Sequence, residues 1–525
     1  MAAAAAGPRF AVAVLAGALV LLASLVNLLR HNLYPLLSAE VGLVALGILL
    51  IAALAASLYR AMGALGRALL DGLLVFLAVD LNADSLIAAA AAGAAAIALG
   101  LALRRSLLPF IATMAGFVLA ASLAGIGRGQ APPPPAAAGP PAAVPDRPAI
   151  LHLILDEHIG IEGLAGGDRA RAAIGRDLSR FYLSRGFRLY GRGYSQHFHT
   201  VNAIPHMLNF GAPPPSPEPP REGARLAANS WFSALAGRGY QIHVRQSEFL
   251  DHCGHPAVVR CAGYSSPSLR ALAASPLSAP DRAGLIATRF ALLSGAMAGL
   301  SKVYEAGAAR LGAPNLGTSL GGRVSMINAL AAFDALIADL RGARPGEAYF
   351  AHLLLPHYPY GLGPDCRLKE VGRWMVRRSA EPRRAREAAY FDQLRCTTAR
   401  VDAALAALAA SPAGRNAIVV IHGDHGSRIT GLDPIAENAG RFGDADMIAG
   451  FSTLLAVRLP GRPGGYEDEP VPVAALLAAL ARSDFAALPE QGAGPRPPLV
   501  VLDDAGWVPR RTQPMPAGWS APGGR

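Results

Sequence analysis

At 525 residues the chain is longer than one ordinary domain, and its first quarter is so much more apolar than the remainder that a single uniform globule is excluded. The formal net charge of +11 is carried mostly by arginine. The four cysteines have no Cys-x-x-Cys spacing, which argues against a zinc site built from thiolates.

The stretches Phe10 to Leu29, Val41 to Tyr59, Leu86 to Leu103 and Leu107 to Ile126 are apolar runs of about the length that crosses a bilayer. A fifth, about Ala61 to Leu81, contains Arg67, Asp71 and Asp80. Five spans with the N-terminus inside put Arg9, Arg60, Arg67, Arg104 and Arg105 in the cytoplasm, and leave Arg30 and Arg128 outside with Asp80 and Asp84. That bias obeys the positive-inside rule. An odd count then carries everything after Arg128 out of the cytoplasm, where nucleic acid is not an expected partner. The first span is read as an uncleaved anchor because further spans follow it. Asp71 and Asp80 are expected near helix ends rather than on an ion pathway.

Residues 1–126 are therefore predicted to be a transmembrane helical domain, and 127–148, with its Pro-Pro-Pro-Pro and Gly-Pro-Pro runs, a semi-rigid linker. A globular domain is expected over 149–504 and a disordered tail, rich in Pro, Gly and Arg, over 505–525. Within the globular part, strand-like segments (Ile150 to Leu155, Phe187 to Tyr190, Tyr240 to Val244, Tyr349 to Leu355, Ala417 to Ile421, Thr453 to Val457) alternate with helix-like ones (Trp231 to Leu235, Met326 to Leu340, Val401 to Leu408). This alternation predicts an α/β domain with a mostly parallel central sheet. The apolar helical stretch Ala283 to Leu311 is expected to pack in the core, with a position on the membrane surface as the alternative.

All four cysteines lie after the spans, and an even count outside the cytoplasm suggests two disulfides. Proximity favours Cys253 with Cys261 and Cys366 with Cys396. Between the latter two lies an arginine cluster, Arg373, Arg377, Arg378, Arg383, Arg384 and Arg386 around Trp374, which is either a solvated excursion or a holder of anionic lipid headgroups.

Four places carry chemistry. Asn416 to Gly426 runs a short apolar strand into Gly423-Asp424-His425-Gly426, and open α/β sheets bind ligands at the carboxyl ends of their strands. Asp424 and His425 are thus candidate metal ligands. Ile150 to Leu155 ends in Asp156-Glu157-His158, where Glu157 is a candidate ligand and Asp156 either a further ligand or a helix cap. Tyr349 to Leu355 ends in Pro356-His357-Tyr358-Pro359, which holds His357 at the rim, whereas His352 within that strand is expected to be a hydrogen-bonded core histidine. In His199-Thr200-Val201-Asn202-Ala203-Ile204-Pro205, Thr200 is expected just ahead of a helix N-terminus with Pro205 in its first turn, a setting that favours phosphate or sulfate oxygens.

This set resembles the alkaline phosphatase and sulfatase superfamily, and its membrane-anchored order is similar to phosphoethanolamine transferases and lipoteichoic acid synthases. The resemblance rests on Thr200 five residues before Pro205, on Glu157 at the end of the first strand, on Asp424-His425-Gly426 and on His357 after a later strand. It implies a multi-pass protein of a bacterial cytoplasmic membrane with its catalytic domain on the periplasmic or extracellular side. It also implies that Thr200 is the nucleophile, that Glu157, Thr200, Asp424 and His425 hold one or two divalent ions, and that His357 acts in catalysis or substrate binding. Two departures matter. His425 is the last histidine, where phosphoethanolamine transferases carry another, and Arg428 is the candidate to supply substrate-binding charge instead. Cys396-Thr-Thr-Ala-Arg lacks the proline of the sulfatase motif Cys-x-Pro-x-Arg, which argues against sulfate-ester hydrolysis.

A threonine hydroxyl is a weak nucleophile that a bound ion can activate, and the mixed oxygen and nitrogen donors suit zinc or manganese better than calcium. The expected activity is transfer of a phosphoryl-linked headgroup from a membrane phospholipid to a cell-envelope glycan or lipid through phospho-Thr200. A phosphate- or sulfate-ester hydrolase uses the same residues, and a non-catalytic lipid-binding regulatory protein is the third reading.

Overall fold

The computed structural model describes residues 7–83, 85–103, 106–125, 146–165, 169–212, 223–226, 228–311, 324–376, 382–488 and 498–516. Most of the expected linker lies outside the described residues, as do Asp84, Arg104, Arg105, Arg128, Arg377, Arg378 and residues 517–525. The chain divides into two compact units. Among the described residues, one comprises those within 7–125 and 267–311 with Val324; the other comprises those within 146–266, 325–376 and 382–516.

In the first unit the five apolar stretches form five helices, α1 (Gly7–His31), α2 (Ala39–Ala61), α3 (Ala64–Asp80), α4 (Leu86–Leu103) and α5 (Leu108–Ala124). Three of them, Phe10–His31 within α1 together with α2 and α4, are long and apolar enough to cross a membrane. The other two have 17 residues each, about 25 Å of helix against a hydrocarbon core of about 30 Å. Asp71 is corrected from a helix end to the middle of α3, where it accepts the Leu107 N–H at 2.9 Å beside the start of α5.

The expectation of one uninterrupted globular domain over 149–504 is corrected here, because 267–324 groups with the N-terminal helices. Polar anchors explain this. Arg282, in the helix Ala279–Ala291, has its Nε 3.0 Å from Glu40 Oε1 at the start of α2. Asp80, at the end of α3, accepts Ser294 Oγ–H at 2.6 Å and Gly295 N–H at 3.2 Å. A carboxylate thus sits on the first turn of the helix Gly295–Leu311, where the helix dipole favours an anion. Ala279–Ala291 and Gly295–Ser301 meet at a bend of 101°.

The second unit is built on an eight-stranded sheet. Its strands are β1 (Ile150–Leu155), β2 (Arg188–Tyr190), β3 (Gln241–Ser247), β4 (Val258–Tyr264), β5 (Glu347–Leu353), β6 (Ile418–Gly423), β7 (Leu455–Arg458) and β8 (Gly465–Glu467). They are ordered β8-β2-β7-β6-β1-β5-β3-β4. Only β7 runs antiparallel to its neighbours β2 and β6. All six residues of β1 and of β6 are buried, as expected for central strands covered on both faces. One face packs Ile150, Ile154, Phe350, Ile418 and Val420 with Trp231, Phe232 and Leu476.

The edge strands β4 and β8 are only partly buried and give no apolar run to read. The expected helix Val401 to Leu408 is the end of a 27-residue helix, Arg383–Ala409, whose first turn is arginine-rich and polar. The expected disordered tail is corrected over Pro509–Pro514, the rest of the expectation from 517 lying outside the described residues. The segment Pro509–Pro514 is a strand, β10, paired antiparallel with β9 (Leu499–Asp503). Its residues are mostly exposed, so backbone pairing rather than apolar content makes it a strand.

Candidate metal centre

Register brings the site together. Leu155 of β1 lies opposite Leu353 of β5 and Gly423 of β6, so the next residues, Asp156 and Asp424, leave adjacent strand ends side by side. Asp156 N–H extends the ladder by donating to Leu353 O at 3.0 Å. Asp156 caps no helix, since the next one begins at Ile161. Glu157 then turns with φ 62°, a left-handed conformation that a non-glycine residue adopts at a cost and that clusters at functional sites. Three bonds hold it there. Its N–H donates to Asp424 Oδ1 at 3.1 Å, its carbonyl accepts Tyr390 O–H at 2.7 Å, and its Oε2 accepts Tyr360 O–H at 3.1 Å.

At the end of β6, glycine is required by close approach rather than by a turn. A Cβ on Gly423 would collide with Thr453 Oγ1, and one on Gly426 with the Ala449 carbonyl. His425 is fully buried, and its Nδ1 lies 2.7 Å from Gly426 O. A carbonyl only accepts, so Nδ1 carries the proton and Nε2 presents a lone pair. That Nε2 is 3.4 Å from Asp424 Oδ2, 3.8 Å from Asp156 Oδ1 and 3.5 Å from Thr200 Oγ1. Burial, and then the neighbouring Arg428, holds the His425 pKa well below the usual histidine value, so the ring is neutral.

Thr200 is the first residue of the helix Thr200–Leu208, one position further in than expected, with His199 as N-cap. Pro205 is the sixth helical residue rather than part of the first turn. His357, on the loop after β5, has Nδ1 2.6 Å from Tyr358 O and Nε2 3.6 Å from Glu157 Oε1. By the same tautomer argument its lone pair faces the carboxylates, and burial lowers its pKa. Arg428 has Nε 3.2 Å from Glu157 Oε1, Nη2 3.2 Å from His425 Nε2 and its guanidinium 5.3 Å over the Phe198 ring.

These residues fit a metal ion. Donor atoms of Asp156, Glu157 and His357 lie within 4.8 Å of one another, and so do those of Asp156, Asp424 and His425. Asp156 is common to both groups. Three carboxylates face one guanidinium, which leaves an excess of negative charge that a divalent cation matches. Among the described residues, Asp156 Oδ1 and Asp424 Oδ2 are buried without a hydrogen-bond partner, which is costly unless something else takes them. Burial, and then the Asp424 carboxylate, raises the Asp156 pKa well above the usual value, the response of crowded anions short of counter-charge.

Sequence reasoning passed over a second group, on the nucleophile side. Asp503, fully buried at the end of β9, has Oδ1 3.1 Å from His197 Nδ1 and Oδ2 3.2 Å from His199 Nδ1. Burial pushes the Asp503 carboxyl up, but these hydrogen bonds outweigh it and hold the pKa low. Val501 N–H donates to Gln196 O at 2.8 Å and Asn202 Nδ2 to Trp507 O at 2.7 Å. The β9–β10 hairpin therefore grips the start of the Thr200 helix. Behind the centre, the ring nitrogens of His352 have no hydrogen-bond partner, contrary to expectation, and Nε2 lies 3.6 Å from Asp156 Oδ2. His152 Nε2 and His422 Nε2 are 2.8 Å apart.

The structure pairs Cys253 with Cys261 and Cys366 with Cys396.

No protein-family model matches the chain, and no curated protein matches it. Among solved structures it is similar to the C-terminal periplasmic domain of EptC from Escherichia coli, at 12% identity and TM-score 0.41 over 71% of this chain and 95% of that one. That EptC domain has also been solved in complex with Zn. It is similar to a 2-O GAG sulfatase, BT1596, at 14% identity and TM-score 0.41 over 68% of this chain and 78% of that one. It is also similar to the phosphonate monoester hydrolase of Agrobacterium radiobacter, at 13% identity and TM-score 0.38 over 68% of this chain and 80% of that one.

Proposed function

We propose that this chain is a metal-dependent enzyme of the alkaline phosphatase and sulfatase superfamily that moves a phosphoryl-linked headgroup from a membrane phospholipid to a cell-envelope glycan or lipid, with Thr200 as nucleophile. The observation that carries this reading is the 3.5 Å approach of Thr200 Oγ1 to the lone-pair nitrogen of His425, beside the unpartnered oxygens of Asp156 and Asp424. Asp156, Asp424 and His425 would hold one divalent ion, and Asp156, Glu157 and His357 fit a second. Bound there, zinc or manganese supplies Lewis acidity to the threonine oxygen and the phosphoryl oxygens.

The chain's own residues do the rest. The Thr200 helix directs Oγ1 at phosphorus, and the start of that helix favours the phosphoryl oxygens through its dipole. Arg428 offers a guanidinium to the same oxygens as charge develops on them. The new bond is Thr200 Oγ to phosphorus and the bond broken joins phosphorus to the departing oxygen, which leaves as an alcohol by taking up, through solvent, the proton that Thr200 gives up. An acceptor alcohol then attacks phosphorus, the Thr200 Oγ–phosphorus bond breaks, and the acceptor's hydroxyl proton returns Thr200 to its free form. His357 is assigned to the ion rather than to protonating the leaving group, because it is neutral and its lone pair already faces Glu157 and Asp156.

Mass spectrometry of the Thr200 peptide, after incubating the full-length protein with a mixed phospholipid extract, tests the reading. An adduct on Thr200, absent from Thr200→Ala, identifies the transferred group by mass. A hydrolase would return Thr200 to its free form with water alone, whereas a transferase needs an alcohol. Full turnover by Thr200→Ala with no adduct would overturn the covalent mechanism, and absence of any bound divalent ion would favour a non-catalytic protein.

A further inference from the structure

A slot of about 200 Å³ opens between α1, α3 and α5, walled by Val20, Val75, Met114 and Ala115, with Ser24 and Asn82 as its polar members. Those two polar side chains are turned onto the protein. Asn82 Nδ2 donates to Ser24 Oγ at 2.8 Å and to Ala78 O at 2.9 Å, and Ser24 Oγ donates to Val20 O at 3.1 Å. A polar ligand would find little to bond to, and an apolar chain fits the walls.

Beyond the same end lies a cation. Arg30 follows Ser24 by six residues on α1, about 9 Å of helix rise, and its Nη1 donates to the Leu123 carbonyl in the last turn of α5. On α5 the slot ends at Val118, five residues before Leu123. One guanidinium nitrogen is thus committed to the helix, and the fork has further N–H donors to offer. An apolar slot with a half-buried arginine past one end matches an amphiphile, with a hydrocarbon chain in the slot and a phosphate on the guanidinium.

We propose that this slot is a phospholipid site, holding one acyl chain between α1, α3 and α5 and the headgroup phosphate on Arg30. It shares no residue with the metal centre and stands or falls without it. Lipid tails are as apolar as leucine, so surrounding hydrocarbon competes on equal terms for the walls. Shape and the Arg30 charge therefore set the residence of the lipid, and each can be removed separately.

Native mass spectrometry of the full-length protein in mild detergent, titrated with phosphatidylglycerol, diacylglycerol or inorganic phosphate, reads out both parts. The wild type is expected to retain one phosphatidylglycerol, to hold diacylglycerol more weakly and to bind no inorganic phosphate. Arg30→Gln should weaken phosphatidylglycerol about fivefold and leave diacylglycerol unchanged. Ala115→Phe, which fills the slot, should weaken both at least tenfold, and Val20→Phe does the same from α1 should the first variant fail to fold. A phosphatidylglycerol carrying a diazirine on its acyl chain should label the wild type on Met114 and Val75. Retention unaltered in the filled variants, or labelling spread evenly over outward-facing residues, overturns the proposal; binding of inorganic phosphate alone, abolished by Arg30→Gln, shows an anion site and overturns it too.

Discussion

The backbone N–H of Glu157 donates to Oδ1 of Asp424 at 3.1 Å, tying the end of β1 to the end of β6 through one carboxylate. The other oxygen of Asp424 has no hydrogen-bond partner. One residue therefore sets the geometry of the strand ends with one atom and leaves its second atom for an ion.

That division of labour separates charge from architecture. Asp424→Asn keeps an oxygen for the Glu157 N–H but loses the charge, so its bound metal should fall at least about tenfold while the metal-free protein keeps its melting temperature. Asp424→Ala loses both and should melt lower as well. Elemental analysis with thermal melts checks this. Chelation should lower the melting temperature of the wild type, because an ion that binds only the folded state stabilises it, and should leave Asp424→Asn unmoved.

Asp503 is expected to act on turnover through position alone. It anchors His197 and His199 immediately before Thr200, and it lies on the hairpin rather than among the groups that fit an ion. Asp503→Asn keeps one acceptor and breaks the symmetric grip. A displacement of about 1 Å at a nucleophile can cost on the order of a hundredfold, so kcat should drop by tenfold to a hundredfold with KM and metal content close to wild type. Loss of metal in step with kcat would instead assign Asp503 to the ion site.

Glu162 provides a pH-dependent term in stability. Its side chain is buried, both oxygens lack hydrogen-bond partners, and Arg192 comes no nearer than 3.7 Å. Burial raises its pKa from 4.5 to about 8, so between those values the folded state binds a proton that the unfolded state does not. Stability should fall as pH rises from about 5 to about 8, by at most about 5 kcal/mol for this group. Glu162→Gln carries no such charge and should melt higher than wild type at pH 9, with the two converging near pH 4.

Much of the centre was legible because an apolar run that ends in ligand-type residues is a local signal. Ile150–Leu155 before Asp156 and Glu157, and Ile418–Ile421 before Asp424 and His425, both stand at strand ends as read. The same rule applied to Leu499–Leu502 before Asp503 would have found the second group. The arginine- and proline-rich segment beyond Ala505 hides the hairpin, because a strand stabilised by backbone pairing leaves no hydropathy trace. The grouping of 267–324 with the membrane helices depends on single polar partners, Glu40 and Asp80, that only the fold brings to Arg282 and Ser294. The tautomer of His357 is fixed by the Tyr358 carbonyl, which sequence does not place.

The two disulfides should differ in what they protect. Cys366–Cys396 closes a separation of 30 residues and Cys253–Cys261 one of 8. Loop-closure entropy of the unfolded chain then assigns about 3.7 kcal/mol to the first and about 2.6 kcal/mol to the second. Their positions add a functional difference. Cys396 lies on the helix Arg383–Ala409, where Gln393 Nε2 donates to the His357 carbonyl at 2.7 Å and to the Pro356 carbonyl at 3.1 Å. The bond therefore steadies the helix that positions the His357 loop, whereas Cys261 lies on the edge strand β4. The Cys366→Ser, Cys396→Ser double variant should lose both stability and metal affinity, and the Cys253→Ser, Cys261→Ser double variant should lose stability alone. Denaturant unfolding beside metal titration separates the two. Equal loss of metal affinity in both pairs would mean that global loosening, not the Gln393 link, governs the His357 loop.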